Sequence, residues 1–425
     1  MPGSDQGWVT KQTGASITAP PGVAFLALRR NQRRAHLLVS GKLGKHIPAS
    51  ATEVLRTAEE LGEVVAAVLT KPPMVVGFAE TATALGHGVA QALSSHGVPA
   101  GYVHTTRRSP APGLEVLRFD EEHSHAVEQL LAIAEPRLLC TPETPVVLVD
   151  DELSTGQTAV NAIRVLQERW PRRDYVLASL LDVRSAEQRR WTARQVADLG
   201  ADLVQVSLFQ ATAHVPDDLV DRTAGLVAAH HAPDAVREGG AAVVREWALT
   251  LPARTPLTGA HGWDARAEAG LRAAVALAAE TLRPVLSNPL RQATLLCLGD
   301  EEFMYAAQLL AARLGDDVPT SSTTRSPVLV VDEPGYPVRT ALRFPACDDA
   351  QRVAFAYNVA ASSQQDRGPA PGFDAIVLLL DRPPGPHVRS GLLAQLAATA
   401  SVSVDVLLVQ AGEQGRPAFR RTGPQ

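Results

Sequence analysis

With 425 residues and 45% hydrophobic content, the chain can bury more than one core, since a single core rarely grows beyond about 250–300 residues. Its 40 basic and 45 acidic residues leave a formal charge of -5 with no extended Lys/Arg run, so nucleic acid is not the expected partner. The N-terminus lacks the basic-then-apolar pattern of a signal peptide and no apolar run reaches the roughly 18 residues of a membrane span, so a cytoplasmic location without a membrane partner is expected.

Taken in chain order, apolar β-rich runs alternate with amphipathic stretches, the pattern of a parallel sheet covered by helices on both faces. In the first half, strands are expected at 74–78, 101–104, 146–149, 175–181 and 202–207, and helices at 51–69, 81–95, 123–134, 157–169 and 186–199. From about 216 to 290 the chain reads as a connection with helices and a Pro/Gly-rich loop. A second α/β half follows, with strands expected at 294–298, 328–331, 375–380 and 404–409. The expected organisation is therefore 1–215, a connecting region 216–290, and a C-terminal α/β domain 291–425. Cys140, Cys297 and Cys347 lie far apart without paired spacing, which argues against a disulfide framework or zinc site and for inert thiols in or near the cores.

The second half echoes the first. "VVGFAETATALGHGVAQAL" at 75 aligns with "LCLGDEEFMYAAQLLAARL" at 296, placing Gly77 and Glu80 on Gly299 and Glu302. "TTRRSP" at 105 aligns with "TTRSP" at 323, "VLRFDEEHSHA" with "ALRFPACDDA", and "PVVLVDDELSTGQTAVNAIRVL" with "DAIVLLLDRPPGPHVRSGLLAQL". The matches share one order, which favours duplication of one α/β unit. The copies have diverged chemically, because Asp150 and Asp151 face Asp381 and Arg382 in this alignment.

In "VVLVDDELSTGQTAV" a buried strand runs into two acids and then a loop of Ser154, Thr155, Gly156, Gln157 and Thr158 that opens a helix. Ligands of open parallel sheets sit beyond the carboxyl ends of strands. The loop offers hydroxyls, free amides and the positive end of a helix dipole to a phosphate, and glycine lets the backbone close around it. Two carboxylates beside a phosphate cradle must face a neutral part of the ligand, and vicinal ribose hydroxyls fit. The competing reading is a plain helix cap with Asp151 in a turn.

These residues resemble the PRPP-binding signature of type I phosphoribosyltransferases (PRPP is 5-phosphoribosyl 1-pyrophosphate). The wider chain, over residues 30–420, resembles a bacterial family associated with tellurite-resistance gene clusters. That family joins an orotate-phosphoribosyltransferase-like domain to a C-terminal domain named for a Thr-Arg-Ser-Pro motif, here Thr324 to Pro327.

The resemblance implies an enzyme that transfers ribose 5-phosphate between PRPP and a nitrogenous base, with Mg²⁺ held mainly by PRPP oxygens and water and only indirectly by Asp150 and Asp151. It implies a type I fold followed by the duplicated, diverged second domain. The alternatives are a non-catalytic PRPP or nucleotide sensor, and a bifunctional enzyme whose C-terminal half processes the phosphoribosylated product. A homodimer is the assembly to test. By position, the pyrophosphate loop is Phe78, Ala79, Glu80 and Thr81, with Glu80 acting through Mg²⁺ or water, or else capping the helix. Thr105, Thr106, Arg107 and Arg108 follow the next strand, where Arg107 and Arg108 would neutralise departing pyrophosphate. The N-terminal segment would form a hood in which Lys42, Lys45 and His46 recognise the acceptor, unless they are ordinary solvated side chains. His123 and His125 would orient a loop or the base, and Asp182 or Arg184 would lie near it. Glu301, Glu302, Thr324, Arg325 and Ser326 would line a C-terminal small-molecule pocket, or else be structural.

Overall fold

The computed structural model describes residues 7–30, 35–121, 128–134, 141–230, 242–287, 294–366 and 368–422. They fall into two compact units. The first comprises residues 55–212 and 255–269, and the second residues 1–54, 213–254 and 270–425.

In the first unit, β1 (Met74–Gly77), α1 (Ala82–Ser95), β2 (Gly101–His104) and an antiparallel ribbon of β3 (Glu115–Asp120) and β4 (Glu128–Ile133) precede β5 (Val146–Leu153). Then come α2 (Gln157–Arg169), β6 (Asp174–Asp182), α3 (Ala186–Asp198) and β7 (Asp202–Gln210). The five sheet strands are parallel in the order β7-β6-β5-β1-β2. Met74 to Gly77 and Val146 to Val149 are buried throughout, as strands covered on both faces must be. Val76, Val146, Leu148 and Leu177 share a core with Ala159, Ile163 and Leu166 of α2. Each of the Val, Leu and Ile side chains contributes roughly 1.5–3 kcal/mol on burial. The chain leaves β1 toward β2 and β5 toward β6, so the strand order reverses between β1 and β5. Their loops part there, and a ligand crevice belongs at that point.

The second unit repeats this frame. Its strands β8 (Val243–Thr250), β9 (Leu295–Gly299), β10 (Pro319–Ser322), β13 (Ala375–Leu380) and β14 (Ser403–Gln410) are parallel in the order β8-β14-β13-β9-β10. The ribbon β11 (Ala341–Pro345) with β12 (Val353–Tyr357) stands where β3 and β4 stand in the first unit. β15 (Ala418–Arg421) extends the sheet beyond β8, and the short strand Ala49–Ser50 beyond β10. The two frames also differ in chain order: edge strand β7 ends the first, whereas β8 precedes the other strands of the second. Residues 216–290 thus contain a core strand as well as helices.

Two expected elements differ. Residues 123–134 read as a helix, but Glu128–Ile133 forms β4, because a short apolar run fits either period and pairing with β3 decides it. Residues 328–331 form no sheet strand: Val328 makes one isolated bridge to Arg29, and Pro319–Ser322 takes the place in the sheet. That strand is Pro-Thr-Ser-Ser and carries no apolar signal. Cys297 and Cys347 are buried, and burial pushes the Cys297 thiol up, consistent with inert core thiols. Cys140 lies outside the described residues.

Candidate active site

The acid pair stands where β5 loses one neighbour. Its ladder with β1 stops at Gly77 opposite Val149, whereas its ladder with β6 continues through Asp150 opposite Ser179 to Leu153 opposite Asp182. Asp150 and Asp151 are both partly buried, and the Asp151 N–H donates to Asp150 Oδ1 at 2.9 Å. Burial, then the charge and hydrogen bond of Asp151, then the charge of Glu121 hold the Asp150 carboxyl well above the usual range.

The loop after the acids is pinned from beneath. Gly156 has φ +89°, and a β-carbon there would collide with Thr192 Oγ1 and press on the Arg184 guanidinium. Asp182 and Arg184 form a buried ion pair at 2.9 Å, and Arg184 also donates to Thr192 Oγ1 at 3.2 Å. These two residues therefore buttress Gly156. Thr155 Oγ1 accepts from the Gln157 N–H at 3.2 Å, and Val160 N–H closes onto Gly156 O at 3.1 Å to begin α2. The first turn of α2 aims amides without intrahelical acceptors out of its end, beside Ser154, Thr155 and Thr158.

On the other side of the switch point, Phe78 N–H donates to Val149 O at 2.9 Å as the chain leaves β1. The Ala79–Glu80 peptide is cis. Thr105 holds this turn: its amide donates to Gly77 O at 2.9 Å, and its hydroxyl accepts from Ala79 N–H at 2.7 Å while donating to Gln129 Oε1 at 2.6 Å. Gln129 Nε2 donates to Ala79 O at 2.6 Å and to Glu121 Oε2 at 2.8 Å. Arg107 donates to Ala79 O at 3.3 Å and forms an ion pair with Glu121. Thr106 exchanges both backbone hydrogen bonds with Leu130 of β4, and its hydroxyl accepts from Arg108 N–H at 3.0 Å. Glu80 is buried at the head of α1, and Thr81 beside it is partly buried.

The structure thus brings together Asp150, Asp151, the 154–158 loop, Phe78 to Thr81 and Thr105 to Arg108. His123 and His125 lie outside the described residues. Lys42, Lys45 and His46 belong to the second unit. There Lys42 pairs with Glu53 at 3.2 Å, Lys45 O accepts from Ser321 Oγ at 2.7 Å, and the His46 ring lies 5.8 Å from Tyr357. In the first unit the corresponding place is taken by residues 259–261. A β-carbon on Gly259 would meet Tyr102, as one on Gly44 would meet Thr320, the residue of β10 that matches Tyr102 in register. The carbonyls of both histidines are held, His261 O by Ala134 N–H and His46 O by Asn358 Nδ2. Sequence reasoning missed this segment, although Gly-Ala-His at 259 beside Gly-Lys-His at 44 was a signal. It also missed Glu121 and Gln129, ordinary polar residues on a ribbon whose pairing partners the sequence does not mark.

In the second unit the same bonds recur with other chemistry. Thr323 N–H donates to Gly299 O at 2.9 Å, and its hydroxyl accepts from Glu301 N–H at 2.9 Å while donating to Asp300 Oδ1 at 2.9 Å. Thr324 exchanges backbone bonds with Phe355, and its hydroxyl accepts from Ser326 N–H at 3.2 Å. Glu302 is buried in the position of Glu80. Glu301 is clamped by Arg325 at 2.7 Å and Arg352 at 2.6 Å. After β13, Arg382 stands in place of a second acid and pairs with Asp381 at 3.0 Å, and the loop that follows, Pro383-Pro384-Gly385-Pro386, carries no hydroxyl side chain.

A parallel sheet with paired acids and a glycine-pinned, helix-opening loop on one side of its switch point defines an α/β domain of the kind whose ligands sit beyond the carboxyl ends of the strands. Residues 23–212 match a family described as phosphoribosyl transferase, and residues 257–396 match the TRSP domain that lies C-terminal to it. The chain belongs to this family of enzymes, transferases of the phosphoribosyl group. No curated protein matches it. Among solved structures it is similar to a Giardia lamblia APRTase complexed with 9-deazaadenine, at 16% identity over 43% of this chain and 92% of that one, with a TM-score of 0.32. It is also similar to adenine phosphoribosyltransferase from Saccharomyces cerevisiae, at 16% identity over 43% and 93% with a TM-score of 0.28. Hypoxanthine phosphoribosyltransferase from Trypanosoma cruzi follows at 13% identity over 34% and 69%, with a TM-score of 0.22.

Proposed function

We propose that the first unit transfers ribose 5-phosphate between PRPP and a nitrogenous base, orotate-like or a more specialised nucleobase. The observation that carries this reading is the acid pair at the switch point, flanked by two anion-suited turns. Asp150 and Asp151 accept from the ribose hydroxyls, the 154–158 loop holds the 5-phosphate on the α2 dipole, and the Ala79 turn with Arg107 receives pyrophosphate. The enzyme's own contribution is positioning and charge stabilisation. For the acceptor, residues 258–261 beside Tyr102 and His104 are the first unit's own candidates.

Among the described residues, no cluster of three or more His, Cys, Asp or Glu side chains is spaced to hold a metal ion. The two partly buried carboxylates suit Mg²⁺ held chiefly by ligand oxygens and water, which would supply charge neutralisation at pyrophosphate. No helix among the described residues is long and apolar enough to cross a membrane.

The test is to mix the protein with PRPP, Mg²⁺ and a panel of bases and follow pyrophosphate release. Release with one base, lost in Asp151→Asn, supports the reading. Tight PRPP binding with no release for any base overturns it in favour of a PRPP sensor.

A further inference from the structure

In both units the arginine of the Thr-Thr-Arg motif meets a carboxylate, but the two pairs differ in whether the carboxylate can leave. In the second unit Glu301 comes from the strand-to-helix turn itself and is only 1% exposed. It lies between Arg325 and Arg352, and Thr323 fixes its backbone. Withdrawing it would take from both arginines a shared, buried carboxylate and leave a hole between them, with Arg352 keeping only Asp348 among its described acidic partners. That arginine is permanently neutralised.

In the first unit the same position of the turn is Ala79, and the carboxylate comes from elsewhere. Glu121, just beyond β3, pairs with Arg107, and its side chain is 28% exposed while that of Arg107 is 8% exposed. Gln129 Nε2 donates to Glu121 at 2.8 Å and to the turn carbonyl of Ala79 at 2.6 Å, so the carboxylate sits against the turn. Its charge also reaches Asp150 across the crevice. A fixed negative group there would repel any incoming anion. Being partly solvated and paired with one arginine rather than two, Glu121 gives up that ion pair and the Gln129 hydrogen bond when it swings into water, a smaller loss than withdrawing the buried Glu301.

We propose that Glu121 is an exchangeable occupant of the anion place at Arg107: it neutralises the arginine in the empty site and yields it to the pyrophosphate group of the ligand. This rests on the phosphoribosyl-transfer reading of the site. A polyvalent pyrophosphate outcompetes one carboxylate, and the return of Glu121 to Arg107 favours release of pyrophosphate after transfer. Glu121 is thus a positioning residue acting through Arg107. The second copy has made the same neutralisation permanent.

The experiment is calorimetric titration of the full chain with inorganic pyrophosphate and Mg²⁺, and separately with PRPP. Glu121→Gln keeps an acceptor for Gln129 but removes the charge, and roughly two- to fivefold tighter pyrophosphate binding is expected, the scale of one partly solvated ion pair. Glu121→Asp, too short to hold Arg107, should shift affinity in the same direction. In an Arg107→Ala background binding should be weak and Glu121→Gln should add nothing, because the coupling runs through that arginine. Equal or weaker binding by both Glu121 variants, with wild type binding normally and Arg107→Ala impaired, overturns the exchange and leaves the transferase reading intact. If wild type binds neither PRPP nor pyrophosphate, the transferase reading and the exchange fall together.

Discussion

The Thr105 hydroxyl accepts the Ala79 N–H at 2.7 Å, and the residues in the matching positions of the second unit, Thr323 and Glu301, make the same bond at 2.9 Å. A fully buried threonine that receives one group and donates to another leaves no slack in the turn it holds. Thr105→Val keeps the shape but leaves the Ala79 amide and the Gln129 carbonyl oxygen without their partner. The expected loss is about 1–3 kcal/mol of stability, with PRPP affinity weakened as the turn loosens. Denaturant unfolding together with PRPP titration checks both. A variant with wild-type affinity would show that the turn is held by Gln129 and Arg107 alone.

Gly156 meets two constraints that any side chain violates together. Its positive φ costs a non-glycine residue about 1–2 kcal/mol, and its β-carbon position is already filled by Thr192 and Arg184. Gly156→Ala should therefore displace the loop rather than unfold the sheet. PRPP binding should fall at least tenfold while far-ultraviolet circular dichroism stays unchanged. The double variant Gly156→Ala with Thr192→Ala should recover part of the affinity by removing the hydroxyl oxygen that fills the β-carbon position.

The raised Asp150 carboxyl sets two pH dependences of opposite sign. Accepting ribose hydroxyls requires the carboxylate, so PRPP affinity should rise as pH rises through the elevated value. Asp151→Asn removes the neighbouring negative charge and should move that limb to lower pH, even as it weakens binding overall. For stability, the folded state holds this proton at pH values where the unfolded chain has lost it. Stability therefore falls as pH rises through that window, and the penalty is complete above the folded value. Asp150→Asn should accordingly be more stable than wild type at neutral pH, with the difference shrinking as pH falls toward the ordinary carboxylate range. Urea unfolding of the two proteins at several pH values reads the sign directly.

Much of the frame was legible because its signals are local. Val146 to Val149 form a continuous apolar run, and the acids, hydroxyls and glycine after it occur in the order their roles require. The repeat was legible because "TTRRSP" and "TTRSP" keep the two threonines whose hydroxyls tie and shape the turns. What escaped was set by long-range pairing. β10 is built from Thr and Ser, β4 could have been a helix, and β8 precedes the repeat to which it belongs. Lys42, Lys45 and His46 fell into the second unit for the same reason: sequence order does not say which sheet edge a segment joins.

Glu301 separates a structural carboxylate from an exchangeable one. Its side chain is 1% exposed, and Arg325 and Arg352, themselves only 15% and 23% exposed, both donate to it. Glu301→Ala removes the carboxylate shared by two poorly solvated guanidinium groups, and the expected loss is roughly 2–4 kcal/mol, discounted from a fully buried pair because both arginines retain some water and Arg352 keeps its pair with Asp348. Glu301→Gln keeps the shape and should lose less. The damage should be confined to the second unit, so hydrogen exchange by mass spectrometry should show faster exchange in peptides covering β10 and residues 323–326. Peptides covering β5 and the 154–158 loop should keep their protection, and the unliganded first unit should bind PRPP as before. Equal loss of protection in both sets would mean that the two sheets unfold as one cooperative body, and that Glu301 supports the phosphoribosyl site as well as its own.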